Sequence, residues 1–264
     1  MPTLEIAGWK ASYQESGVGL PIIFIPGITE YKESFDFQLR GLSDRYRVIS
    51  YDVRSTTDAK ESSIESLAQD LAGFLDSLRL ASAVIAGHCF GGLIAQQFAM
   101  TWPERTTALV LMSTFAKAPD PSQAKLLRYM SSAHQNDPEG ALARLAKFLG
   151  MTQPEEFDED DFLGWVAKQS AKTPQATINA RIRAIRQFDS RPWLEQLWKP
   201  LLMMVGENDR PPFLSAAQMI QRSTPDSVVE VMEGCDHFPH IARHDTTNLY
   251  IDDFIKSRLI SLVE

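Results

Sequence analysis

The sequence predicts an α/β protein, a doubly wound and mostly parallel sheet that carries a helical insertion. Three observations lead there. Short, almost wholly apolar runs alternate with amphipathic segments, as strands buried on both faces alternate with the helices that cover them. A glycine-rich turn, Gly87-His88-Cys89-Phe90-Gly91-Gly92, leads from one such run straight into a helix-like segment. The alternation breaks once, over residues 118–199, and then resumes.

The elements follow in order. Leu20 to Gly27 reads as a buried strand closed by a Pro-Gly turn, and Tyr46 to Asp52 as the next strand. Ile64, Leu67, Leu71, Phe74, Leu75 and Leu78 fall on one face at helical spacing. Ala83–Gly87 is a strand, Gly92–Trp102 a helix and Ala108–Met112 a strand. Beyond the break come a strand at Pro200–Gly206, a helix at Phe213–Arg222, a strand at Ser227–Met232 and a terminal helix at Asn248–Leu262. The expected organisation is a core of residues 1–117 and 200–264, with residues 118–199 as a helical cap or lid. That insertion carries helix-like segments at Pro138–Phe148 and Thr177–Phe188. Its acidic run from Glu155 to Asp161 reads as a solvated helix start, since carboxylates suit helix N-termini.

Composition narrows the function. The 264 residues carry a net charge of −8, which opposes a nucleic-acid partner, because phosphate backbones need a basic footprint. The N-terminus has no basic stretch followed by an apolar run, and no apolar stretch is long enough to span a bilayer. The two cysteines suggest no disulfide framework. The expectation is a cytoplasmic enzyme or binding protein without a cofactor, its partner a small molecule rather than nucleic acid or membrane, with its oligomeric state left open.

A sharp strand-to-helix turn projects its middle side chain above the sheet, and helix amides aimed at Cys89 favour negative charge there. Those amides should raise the thiolate fraction of a cysteine. The alternative is an inert buried thiol. A nucleophile needs a base and the base an orienting group. Of the five histidines, His237 follows the strand Ser227–Met232 and should lie on the same sheet edge as Cys89. His88 should diverge from Cys89 and serve packing, and His134 lies in the insertion without a signature. Asp209, past the strand Pro200–Gly206, is the candidate acid; Glu207 is its rival, and Asp236 adjoins His237 too closely to close such a bond. The backbone amides of Phe90 and Ile28 are the candidate oxyanion donors. His237, His240 and His244 could gather on a helix around a metal, but Pro239 disturbs the first turn, so no metal site is expected.

The chain order Cys89, Asp209, His237, with Pro26-Gly27-Ile28, Gly206-Glu207-Asn208-Asp209 and Gly234-Cys235-Asp236-His237-Phe238-Pro239-His240-Ile241, resembles a capped member of the α/β-hydrolase superfamily. The resemblance implies Cys89 as nucleophile, His237 as base and Asp209 as its orienting acid. Two departures stand out. Many relatives carry a glycine-rich loop where this chain has Asp52-Val53-Arg54-Ser55-Thr56-Thr57. Cysteine also replaces the usual serine, whether as the native residue or as a Ser-to-Cys substitution. Dienelactone hydrolases and polyhydroxyalkanoate synthases are similar in that respect, but neither likeness transfers a substrate.

A thiolate leaves as readily as it attacks, so activated acyl groups suit it best. The expected activity is hydrolysis or acyl transfer on an activated ester, lactone or thioester. Lyase or cofactor-free oxygen chemistry, or ligand binding without catalysis, stand as alternatives on the same scaffold. Phe148, Met151, Phe157, Phe162, Trp165, Phe188, Trp193 and Trp198 supply apolar surface for the cap. Arg181, Arg183 and Arg186 read as a solvated helix face rather than a carboxylate site.

Overall fold

The computed structural model describes residues 2–56, 58, 60–117, 172–224 and 226–260. Eight strands form one sheet in the order β1-β2-β4-β3-β5-β6-β7-β8. β1 (Thr3–Ile6) and β2 (Trp9–Ser16) pair antiparallel, and β2 pairs antiparallel with β4 (Arg47–Tyr51). The remaining strands, β3 (Pro21–Ile25), β5 (Ala83–His88), β6 (Thr106–Met112), β7 (Leu201–Gly206) and β8 (Ser227–Met232), run parallel from β4 outward.

Both faces of the central strands are buried, which is why their sequences are apolar without interruption. Ile23 and Ile25 of β3, Ile85 of β5, Leu109 and Leu111 of β6 and Met203 of β7 face one core. Ile22, Phe24, Val84, Val110 and Met204 alternate into the other. The first core is covered by α2 (Ile64–Ser77), α3 (Phe90–Thr101) and α5 (Pro211–Ser223), the second by α1 (Asp36–Leu42) and α6 (His244–Ile255). Ser63 caps α2, its side chain accepting from the Ser66 amide, as a helix start requires.

The N-terminal hairpin is an addition to the sequence-based expectation. Its turn, Ala7-Gly8, takes φ of +45° and +85°, the left-handed pair that a two-residue hairpin needs. The terminal helix also starts earlier than expected, at His244, and ends at Ile255, with a π turn following over Lys256–Ile260.

Of residues 118–199, the described part includes α4 (Gln175–Gln187), in agreement with the helix expected at Thr177–Phe188. The expected helix Pro138–Phe148 and the acidic run Glu155–Asp161 lie outside the described residues. Where the chain departs after β6 and where it returns after α4, it is joined to itself. Lys117 and Asp189 form an isolated antiparallel bridge with an ion pair at 3.3 Å. The Ser190 amide donates to the Ala116 carbonyl at 2.7 Å. No helix among the described residues is long and apolar enough to cross a membrane.

In the sheet, β4 lies on one side of β3 and β5 on the other, so the chain reverses its direction of travel between β3 and β5. Such a reversal opens a crevice at the carboxyl ends of the two strands. The Pro26-Gly27-Ile28 loop follows β3 there, and Cys89 follows β5.

Candidate active site

β5 ends at His88 and α3 begins at Phe90, so Cys89 alone makes the turn, at φ +48° and ψ −107°. A non-glycine residue in such a region costs roughly 1–3 kcal/mol, which its surroundings must hold in place. They do so through the backbone. The Cys89 amide donates to the Met112 carbonyl at 2.9 Å, and the Cys89 carbonyl accepts from the Gly92 amide at 3.1 Å and the Thr114 hydroxyl at 2.7 Å. A Cβ on Gly91 would stand 2.1 Å from the Ile25 carbonyl oxygen, and one on Gly87 2.4 Å from that of Gly91. The glycines are therefore a condition of the turn, because they let α3 begin against the end of β3.

The other two candidates come from the next strand ends. Asp209 follows β7, and His237 lies in the loop after β8; both are buried. Nδ1 of His237 lies 3.1 and 3.2 Å from the two carboxylate oxygens of Asp209, which leaves Nε2 for the Cys89 sulfur, also hydrogen-bonded to the ring. Burial alone would lower the His237 pKa. The Asp209 carboxylate and the Cys89 sulfur outweigh it and push the imidazole well above its ordinary range. The Phe213 ring packs 4.4 Å from that of His237 and helps to fix its plane. Glu207, the rival acid, instead accepts from the Gly234 amide at 3.1 Å on the surface. Asp236 accepts from the Phe238 amide at 2.9 Å.

Arg181 corrects the sequence-based reading. It is buried, whereas Arg183 and Arg186 of the same helix are exposed. Nη1 donates to the Ile28 carbonyl at 2.7 Å and Nη2 to the Val53 carbonyl at 2.9 Å, and the guanidinium stands 5.7 Å from the centre of the Phe90 ring. Burial pulls its pKa down to about 10, which keeps it charged at neutral pH. α4 is thereby fastened to the loop that carries the Ile28 amide and to the non-glycine loop at Val53. Asp52 of that loop is engaged with Lys32, through the Lys32 amide at 2.9 Å and the ammonium at 2.9 Å.

Behind the turn lies a group that the sequence did not mark. His88 diverges from Cys89, as expected, yet it does more than pack. Its Nε2 bonds the His237 carbonyl at 2.8 Å, and its Nδ1 lies 2.7 Å from Glu30 Oε1. Glu30 Oε2 accepts from the Gly27 amide at 3.1 Å and lies 3.5 Å from Nε2 of His240, which is wholly buried. Burial would raise the Glu30 pKa, but His88 and His240 hold it well below the usual carboxylate range. Burial, with His88 nearby, lowers that of His240 to about 4. Among the described residues, Glu30, His88 and His240 are also the one group able to place three potential metal-ligand atoms together, within 4.8 Å. Of the trio His237, His240 and His244, only His240 belongs to it; the His244 ring stacks on Phe37 at 4.1 Å.

Both cysteines are free thiols. Of the aromatic cap residues, Phe188 is buried against Trp193 and Trp198 is 61% exposed. Phe148, Met151, Phe157, Phe162 and Trp165, with His134, lie outside the described residues.

Comparison with known proteins adds to this geometry. Residues 22–248 match the sequence pattern described as "Alpha/beta hydrolase family". A protein of Azorhizobium caulinodans named for carbamate hydrolysis is 34% identical over 110 residues, which is 40% of this chain and 42% of that relative's length. The pimeloyl-[acyl-carrier protein] methyl ester esterase of Nitrosomonas europaea is 24% identical over 87% of this chain and 93% of its own. The enol-lactonase from Burkholderia xenovorans LB400 superposes with a TM-score of 0.83 at 20% identity, covering 97% of this chain and 100% of that one.

Proposed function

The chain belongs to the alpha/beta hydrolase family, and from that membership we propose that it hydrolyses an activated ester, lactone or thioester, or transfers its acyl group, with Cys89 as nucleophile. His237 acts as general base and Asp209 orients it. The observation that carries the reading is the single buried imidazole bonded to Asp209 on one side and to Cys89 on the other. The relatives named for ester and carbamate cleavage support the reaction class.

The raised His237 pKa suits a ring that takes the thiol proton as the sulfur attacks. The sulfur attacks the acyl carbon, and the carbonyl π electrons move to oxygen. The Phe90 and Ile28 amides stabilise that oxygen, and Arg181 holds the same loop through the Ile28 carbonyl, one peptide further on. When the adduct collapses, the alkoxide or thiolate leaving group departs with the proton from His237, and the acyl group remains as a thioester on Cys89. His237 then takes a proton from water, or from an alcohol or thiol acceptor, as that molecule attacks the thioester, and the Cys89 thiolate leaves. Because a thiolate is a good leaving group, enol esters, lactones and thioesters fit the site better than amides. Residues 118–199 serve as the cap over the crevice.

Mass mapping checks the acyl-enzyme directly. After brief exposure to a p-nitrophenyl ester and acid quench, an added acyl mass is expected on the Cys89 peptide and is expected to be absent in Cys89→Ala. Turnover of the ester by Cys89→Ala at the wild-type rate would sink the mechanism.

A further inference from the structure

The Glu30 side chain lies behind the reacting groups, and the acyl-transfer reading assigns it no step. Four contacts nevertheless form a continuous, largely buried chain through it. The Gly27 amide donates to Glu30 Oε2 at 3.1 Å, and Glu30 Oε1 meets His88 Nδ1 at 2.7 Å. His88 Nε2 bonds the His237 carbonyl at 2.8 Å. The Nδ1 of His237 then continues to Asp209 at 3.1 Å. Gly27 precedes the proposed oxyanion residue, His88 precedes the nucleophile, and His237 is the base. Three segments far apart in sequence are thus tied to one carboxylate at its centre.

We propose that Glu30 is a positioning residue for acyl transfer: through the Gly27 amide and His88 it holds the oxyanion loop, the nucleophile turn and the base loop in one register. The proposal rests on the assignment of Cys89, His237 and the Ile28 amide given above.

The chemistry favours a proton-linked anchor over a bound cation. Both ring nitrogens of His88 face oxygen acceptors, so a proton occupies the Glu30–His88 contact. A spacing of 2.7 Å is within hydrogen-bond distance, with a poor angle at Nδ1. Two ligands on one zinc ion, each about 2.0–2.2 Å from it, sit farther apart than that in a tetrahedral site. Space is equally tight on the loop side. A Cβ on Gly27 would stand 2.7 Å from Glu30 Oε1 and 3.1 Å from His88 Nδ1, so only glycine lets the loop close onto the carboxylate. The glycine of Pro26-Gly27-Ile28 therefore serves this anchor as well as access to the Ile28 amide.

The test compares three purified full-length variants on a p-nitrophenyl ester. Glu30→Ala removes both anchor points and is expected to lower kcat about 10- to 100-fold with KM within twofold, because registry of the reacting groups affects the transition state more than substrate binding. Glu30→Gln, whose amide accepts from the Gly27 amide and donates to a neutral His88 ring, is expected to recover most of kcat. Glu30→Asp, one methylene shorter, is expected to fall between them, and it carries the test if the alanine variant does not fold. In ¹⁵N-edited NMR spectra, the Gly27 amide and the His237 ring are both expected to shift in Glu30→Asp and to return toward wild type in Glu30→Gln. Unchanged kcat in folded Glu30→Ala or Glu30→Asp, or equal losses of kcat in Glu30→Gln and Glu30→Ala, would overturn the positioning role. So would one equivalent of tightly held transition metal in the purified protein. Absence of acylation at Cys89 in the wild-type protein would overturn the acyl-transfer reading instead, with the NMR shifts still reporting whether the anchor exists.

Discussion

The two cysteines of this chain stand on loops that follow parallel strands, Cys89 after β5 and Cys235 after β8, and their surroundings differ in almost every respect. Cys89 is partly exposed, held at a positive φ, and has a buried imidazole bonded to its sulfur. Cys235 is wholly buried, its thiol pushed up to about 12 by burial and by the Asp236 carboxylate. Its backbone carries its role: the Cys235 carbonyl accepts from the Asn208 amide at 2.8 Å and lies where a Cβ on Gly206 would be 2.4 Å away. That bond braces the loop bearing Asp209. One thiol stands beside an imidazole and the other fills space, and the residue type distinguishes neither.

The sharpest way to break this contrast is to remove each sulfur in turn. Cys89→Ala is expected to lower kcat on an aryl ester by about 10⁴-fold, whereas Cys235→Ala should stay within twofold. Comparable losses in both would erase the distinction. Next in size is the base. His237→Ala should lower kcat by about 10³-fold and slow iodoacetamide alkylation of Cys89 at neutral pH, with the sluggish labelling of Cys235 unchanged; equal labelling of both thiols in the wild type would remove the case for activation.

The histidines repeat the contrast, because His237 is raised by its carboxylate while His240, facing Glu30, His88 and His237, is lowered to about 4. A histidine that resists protonation in the fold contributes stability that is present above its ordinary value of 6.5 and lost as pH falls through about 4. Urea unfolding should therefore weaken over that window by on the order of 3 kcal/mol, and His240→Gln should flatten the slope. A slope unaltered in the variant would assign the effect to other groups. The smallest expected effect concerns the turn itself. Cys89→Gly should raise the unfolding free energy by about 1–2 kcal/mol, because glycine adopts that φ without strain, while Cys235→Ala should lower it by a similar amount through lost packing. A destabilised Cys89→Gly would show that the turn is not strained.

Burial on both faces explains what was legible in the sequence. Strands such as Ile22–Ile25 and Leu201–Val205 show themselves as apolar runs because neither face meets water. Strand β2, second from the edge, hides, since Lys10, Gln14 and Glu15 interrupt it where it is only partly buried. Cys89, Asp209 and His237 could be picked out because each follows a strand, in an order the turn motif suggests. Arg181 could not. It shares one helix with Arg183 and Arg186, and only the approach of the Ile28 and Val53 carbonyls separates a buried guanidinium from two solvated ones. Glu30 was invisible for a similar reason, as its partners His88 and His240 come from distant parts of the chain.

The junction at Lys117 and Asp189 closes a long excursion of the chain at its base. Lys117 and Asp189 meet in a bridge and the Ser190 amide reaches back to Ala116, so the two ends of the insertion are clasped to each other whatever lies between them. The entropy of closing such a loop grows only with the logarithm of its length, about 0.6 kcal/mol for each doubling. Insertions and deletions inside the clasp therefore cost the sheet almost nothing. The strands that carry Cys89 and His237 are thereby insulated from the length of that insertion.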